Sequence, residues 1–86
     1  MREITIDERD FAGPRDFMAW IKEALEFPEY AGNSLAALHD CLGDICEPTT
    51  ISILRRNPEP DTWFDKASLC IVRASMENDN VKVRIR

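Results

Sequence analysis

The chain has 86 residues, of which 16 are acidic and 11 are Lys or Arg, for a formal net charge of -5. A chain of this length is expected to fold as a single domain, over residues 1–86. The excess of acid argues against binding to nucleic acid, which requires clustered cations, and no apolar run approaches the roughly 20 residues of a transmembrane helix. The N-terminal segment is charged throughout and lacks the apolar stretch of a secretory signal, so we expect a cytoplasmic protein.

The first half of the chain predicts one strand and two helices. The β-branched residues in positions 3–6 predict a strand. Apolar residues then recur at helical spacing from Pro14 to about position 25, and Pro28 ends this first helix. A loop holding Tyr30 follows. A second helix begins at Asn33 or Ser34, either of which can act as its N-cap, and Gly43 is predicted to be its left-handed C-cap.

The second half predicts a strand, a helix and a strand. The strands cover positions 49–54 and 81–86, and the helix runs from Asp61 or Thr62 to about Met76. The order is therefore β-α-α-β-α-β. Strands connected through helices usually pair in parallel, so the sequence predicts an α/β fold with a small three-stranded parallel sheet flanked by helices.

The second predicted helix has one apolar and one acidic side. At about 100° per residue, Leu35, Leu38 and Leu42 form a stripe that we expect to be buried. On the opposite side lie Ala36, Asp40 and Asp44. Residues 23–47 contain six acidic residues and no Lys or Arg, so no neighbouring cation is expected to offset Asp40, Asp44 or Glu47. Because carboxylates oppose the dipole at a helix C-terminus, this acidic surface is predicted to dock a basic partner.

The segment from Phe27 to Leu42 combines the loop residues Pro28, Glu29, Tyr30 and Gly32 with a helix that carries Asp40, and in these residues it resembles the barstar family of ribonuclease inhibitors. The matching residues have the same spacing as in the family, with no insertion or deletion; they are Pro28, Glu29, Tyr30, Gly32, Leu35, Ala37, Leu38, Asp40 and Leu42. The resemblance implies the barstar-like fold, no enzymatic activity, no cofactor, and a 1:1 complex of a monomer with a basic, barnase-like ribonuclease. It also implies that Asp40 takes the place of a substrate phosphate in the active site of the enzyme. By position, the implied contact residues are Tyr30, Ser34, Ala36, His39, Asp40, Gly43 and Asp44.

The sequence departs from the family pattern at four of the compared positions. Ala36 stands where the family has a second aspartate, and Arg73 where it has a glutamate. His39 and Ile45 stand where it has tryptophans. Because a few anchors carry most of an interface's binding energy, we expect a cognate enzyme other than barnase, with Asp44 or Glu47 as candidates for the missing charge. The alternative is a barstar-like module that binds another basic protein or toxin.

The cysteines and the histidine do not predict a catalytic or metal site. His39, Asp40 and Cys41 are adjacent on a helix, so their side chains diverge by about 100° from one to the next and do not converge as a triad. Zinc binding by His39 with Cys41, Cys46 and Cys70 lacks the usual closely spaced cysteine pair. The three cysteines are predicted to be free thiols.

Overall fold

Three strands and three α-helices follow one another in the predicted order. The computed structural model describes residues 2–28, 32, 34–56, 59 and 62–86. The elements are β1 (Arg2–Asp7), α1 (Pro14–Ala24), α2 (Leu35–Gly43), β2 (Thr49–Leu54), α3 (Trp63–Glu77) and β3 (Val81–Ile85), with a short 3₁₀ turn at Glu8–Asp10. This confirms the β-α-α-β-α-β order. The predictions for Tyr30, Asn33 and Asp61 lie outside the described residues.

The strands form a parallel sheet with β2 in the centre, in the order β1-β2-β3. Its register aligns β-branched residues across the sheet: Ile4 pairs with Ile51, which pairs with Val83. Because side chains alternate along a strand, such rows make one face of the sheet apolar. The predicted α/β class and three-stranded parallel sheet are confirmed.

The hydrophobic core lies between this apolar face and the helices. Each helix contributes large side chains that are almost fully buried, and the most buried are Phe17, Ile21, Leu38, Leu42, Phe64 and Ile71. On the other face of the sheet the side chains of Thr5, Lys82 and Arg84 are exposed. None of the helices in the described part of the chain has the length and apolar character that a membrane crossing requires.

The end of α1 is closed by a backbone turn through Glu26. The N–H of Phe27 donates to the carbonyl of Lys22 at 2.8 Å, and the N–H of Glu26 donates to that of Glu23 at 3.3 Å. These two bonds form a Schellman motif, in which the residue after the cap adopts the left-handed conformation. Glu26 has a φ of 56°, a conformation that normally favours glycine. The turn redirects the chain from α1 towards α2.

Two predictions for α2 are wrong. Gly43 does not adopt a left-handed conformation; it is the last helical residue, and Asp44 follows as the C-cap with φ -91° and ψ -1°. Side chains from another part of the chain bind the last carbonyls, so the left-handed turn is not needed. Leu35 is 40% exposed rather than buried, because it lies at the first position of the helix, above a groove between α2 and α3.

Candidate functional site: the outward face of α2

Helix α2 presents one side to the core and the other to solvent. Leu38 is 1% exposed and Leu42 is fully buried, so together they fix the rotation of the helix against the core. Burying a leucine side chain contributes about 1.5–3 kcal/mol, which strongly favours this orientation. We use the term outward face for the side turned away from the core, and it comprises Ala36, His39, Asp40, Gly43 and Asp44.

The N-terminus of α2 is held by Ser34. Its hydroxyl accepts a hydrogen bond from the N–H of Ala37 at 3.1 Å, which confirms the prediction of an N-cap at this position. An N-cap of this kind stabilises a helix by about 1 kcal/mol. Ser34 is exposed, and its side chain therefore has a structural role beside any contact with a partner.

The C-terminus of α2 is held by Asn78, which follows α3. Its Nδ2 donates to the carbonyls of Leu42 at 2.9 Å, Gly43 at 3.3 Å and Ile45 at 3.0 Å. Asn80 adds a further bond from its Nδ2 to Ile45 at 3.2 Å. The amide hydrogens thus satisfy carbonyls that a helix end leaves without partners. No local sequence pattern indicates this role of Asn78, and the sequence analysis missed it.

The flank of the outward face that lies next to α3 is fixed by His39. Its Nε2 is 2.6 Å from Oε2 of Glu77, near the end of α3. On the same side, the thiol of Cys70 donates to the carbonyl of Leu35 at 3.2 Å. These contacts connect the first residue and the middle of α2 to α3. His39 is therefore a positioned side chain at the border of the outward face.

The acidic residues of the predicted docking surface fall into two groups. Nη2 of Arg2 is 3.1 Å from a carboxylate oxygen of Glu26 and 3.2 Å from one of Glu47. The local sequence holds no Lys or Arg that could pair with Glu47, but β1 brings Arg2 to it from a distant part of the chain. Asp40 and Asp44 are exposed, and within the described part of the chain neither carboxylate has a hydrogen-bond or ion-pair partner.

None of the three cysteines forms a disulfide. Burial raises the pKa of the Cys41 thiol, and the negative charges of Asp44 and Asp40 raise it further. Burial also raises the pKa of Cys70, on α3, so neither thiol is activated as a nucleophile. Cys46 is exposed after α2, and all three are free thiols. Among the residues that the structure describes, no cluster of three or more metal-ligating side chains occurs.

The positions that depart from the family pattern have distinct surroundings. Ile45 is half-buried and packs against the core, so it offers no exposed anchor. Ala36 lies on the outward face, and Arg73 lies across the groove from it, on α3. Of the predicted contact residues, five lie along the outward face of α2 and Ser34 lies at the N-terminus of the helix, whereas Tyr30 lies outside the described residues.

A comparison with protein-family models identifies the family. The model described as Barstar (barnase inhibitor) matches residues 1–80. The chain belongs to the barstar family. It is also similar to a protein of Bacillus subtilis (strain 168) named "Putative ribonuclease inhibitor YrdF", with 48% identity over 42 residues. That match covers 49% of the chain and 46% of the Bacillus protein, so it spans about half of each. The resemblance to the barstar family is thus confirmed, and it extends over most of the chain.

Proposed function

We propose that this barstar-family protein is a non-enzymatic, cytoplasmic inhibitor of a basic ribonuclease, and that one molecule blocks one enzyme through the outward face of α2. In this proposal Asp40 enters the catalytic cleft and takes the position of a substrate phosphate. Asp44, one turn further along the helix, supplies a second negative charge. Ser34, Ala36, His39 and Gly43 surround them, with Tyr30 at the edge of the contact.

The observation that carries this proposal is the exposed and unpaired carboxylate of Asp40. It projects from the side of α2 opposite Leu38 and Leu42, whereas Glu26 and Glu47 are paired with Arg2. An inhibitor needs a charge that is accessible and not already committed within its own fold. The predicted docking surface has three described acidic residues on or after α2. Asp40 and Asp44 meet this condition, and Glu47 does not.

The chemistry of ribonuclease cleavage explains why a carboxylate is suited to this role. An enzyme that cleaves RNA must bind a phosphate, and cationic side chains are the usual ligands for it. A carboxylate accepts two parallel hydrogen bonds from an arginine, and such charge-assisted pairs are stronger than neutral hydrogen bonds. Opposite charges also accelerate the encounter of the two proteins. Barnase and barstar are a known example of this electrostatic steering.

The first experiment measures RNA cleavage by a basic, barnase-like ribonuclease during titration with this protein and with Asp40→Asn. The wild-type protein should inhibit at one molecule per enzyme. The substitution removes one negative charge at nearly constant shape and should weaken inhibition at least about thirtyfold, or about 2 kcal/mol, as expected for a central interface residue.

A matched control separates local from general electrostatic effects. Glu3→Gln removes the same charge from an exposed position of β1, on the sheet face that the helices do not cover. It should leave inhibition within about twofold, because steering by a single distant charge is weak in salt. If both variants inhibit equally well, Asp40 is not at the interface. Binding without inhibition of any tested ribonuclease would favour another basic protein or toxin as the partner.

A further inference from the structure

A groove separates the outward face of α2 from α3. It has a volume of about 360 Å³ and is open to solvent. Its floor and walls are mostly apolar, with two cations along the α3 side; the lining residues are Leu35, Ala36, His39, Lys66, Leu69, Cys70 and Arg73. Ala36 and His39 also belong to the outward face. A partner that covers Asp40 therefore lies directly beside this groove.

The charge of the groove is opposite to that of the outward face. Lys66 and Arg73 are exposed and have no hydrogen-bond or ion-pair partner for their side chains among the described residues. The two acids nearest to them on α3 are already paired: Glu77 contacts His39, and Asp65 contacts Arg55 at 2.6 Å. The described lining of the groove thus holds two cations and no acidic residue, next to the two free carboxylates of α2.

Exposed apolar side chains accompany these cations. Leu69 is 50% exposed and Leu35 is 40% exposed, one on each side of the groove. Leu35 and Lys66 also line an adjoining depression of about 130 Å³ that reaches Met18 and Trp63. The groove therefore continues into a second apolar recess. A side chain that fills it removes leucine and tryptophan surface from water, which contributes about 25 cal/mol per Å².

We propose that the groove between α2 and α3 binds a protein segment that combines a carboxylate with an apolar anchor, and that the inhibited ribonuclease supplies this segment beside its basic cleft. The assignment of this segment to the ribonuclease rests on the proposed function. The binding chemistry of the groove is independent of that function. Arg73 and Lys66 bind the carboxylate, and the apolar anchor enters between Leu35 and Leu69. A ribonuclease that is basic throughout this region is disfavoured, because like charges then face each other.

The chemistry of the groove is tested with two synthetic peptides. One is a blocked hexapeptide with a Leu-Phe pair flanked by four aspartates, and the other has four lysines instead. Nitrogen-15 NMR spectra of the full chain are recorded during titration. The acidic peptide should cause saturable shifts at the amides of Leu35, Ala36, His39 and Leu69, and the basic peptide should not.

Charge reversal in the groove should reverse this preference. The Lys66→Glu/Arg73→Glu double variant should bind the acidic peptide at least tenfold more weakly and should gain affinity for the basic one. Arg84→Glu, an exposed arginine of β3, is the matched control and should bind as the wild type does. Absent or equal binding of the two peptides, or shifts confined to β3, would overturn the proposal. If the amide signals of the groove shift with protein concentration in the absence of peptide, the groove binds a second copy of the chain instead.

The assignment of the segment to the ribonuclease is tested with an enzyme that the wild-type protein inhibits and Asp40→Asn does not. Arg73→Glu should weaken inhibition of that enzyme at least tenfold, whereas Arg84→Glu should not. Unchanged inhibition by Arg73→Glu would overturn the assignment of the segment to the ribonuclease. Failure of the proposed function has a different signature: the wild-type protein would then inhibit no tested ribonuclease, or Asp40→Asn would inhibit as strongly as the wild type, while the peptide results stand.

Discussion

Replacement of Asn78 by alanine should strongly destabilise the fold by releasing the C-terminus of α2. The substitution removes the Nδ2 hydrogens that bind Leu42 at 2.9 Å and Ile45 at 3.0 Å. It also removes the Oδ1 that accepts from the N–H of Asn80 at 3.0 Å. At about 1 kcal/mol net for each hydrogen bond, the loss is about 3 kcal/mol. The carbonyl of Leu42 keeps a bond from the N–H of Ile45, which limits the cost.

Thermal and urea unfolding, followed by circular dichroism, measure this effect. For a chain of this size each kcal/mol lowers the midpoint temperature by about 4–8 °C, so Asn78→Ala should lower it by about 12–24 °C. Hydrogen exchange at the amides of Asp44 and Ile45 should accelerate as well. The outward face would then lose its fixed shape, and inhibition of a ribonuclease should weaken.

Two neighbouring variants serve as controls. Asn80→Ala loses one side-chain bond to Ile45 and should cost about 1 kcal/mol. Asp79→Ala changes an exposed residue between the two asparagines and should be nearly neutral. If Asn78→Ala unfolds within about 0.5 kcal/mol of the wild type, the carbonyls at the end of α2 do not depend on Asn78 and the reasoning is refuted.

Three further results are expected. Glu26→Gly should be more stable than Glu26→Ala by about 0.5–1 kcal/mol. Both variants lose the pair with Arg2, but only alanine keeps a β-carbon in the left-handed conformation. Equal stability of the two variants would contradict this. Hydrogen bonds from Arg56, and next from Arg9, lower the pKa of Asp7 below 3.8, so the unfolded chain binds more protons than the folded one. Stability should fall as pH drops below about 4, and Asp7→Asn should show a smaller fall in midpoint temperature between pH 5 and pH 2. Association with the ribonuclease should slow as salt rises, because charges are screened beyond about 10 Å at 0.1 M; a constant rate would exclude electrostatic steering.

The fold could be predicted from sequence because burial leaves a local periodic pattern. The strand at positions 49–54 has the predicted bounds, and the helical repeat that includes Phe17 and Ile21 marks α1. The exposed positions of Ala36, Asp40 and Asp44 also followed from the helical repeat. Their contact with a partner stays a prediction, since solvent exposure is all that the pattern determines.

The features that could not be predicted depend on residues far apart in the chain. Arg2 pairs with Glu47 because β1 and the segment before β2 meet in the sheet, and Asn78 reaches Leu42 across 36 positions. No local pattern contains such contacts. The error at Gly43 has the same origin, since a distant amide replaces the left-handed turn that glycine usually provides. The resemblance to the barstar family implied a role for α2 but gave no information on what supports it.

The cap on α2 has a consequence for protein synthesis. The ribosome makes α2 well before it makes Asn78, so a nascent chain that has only reached β2 lacks the donors that close this helix. The same turn also leads into β3, the last strand of the sheet. The outward face of α2 is therefore completed together with the sheet. Under the proposed function, we therefore expect full-length chains to inhibit the ribonuclease and partly translated chains to lack this activity.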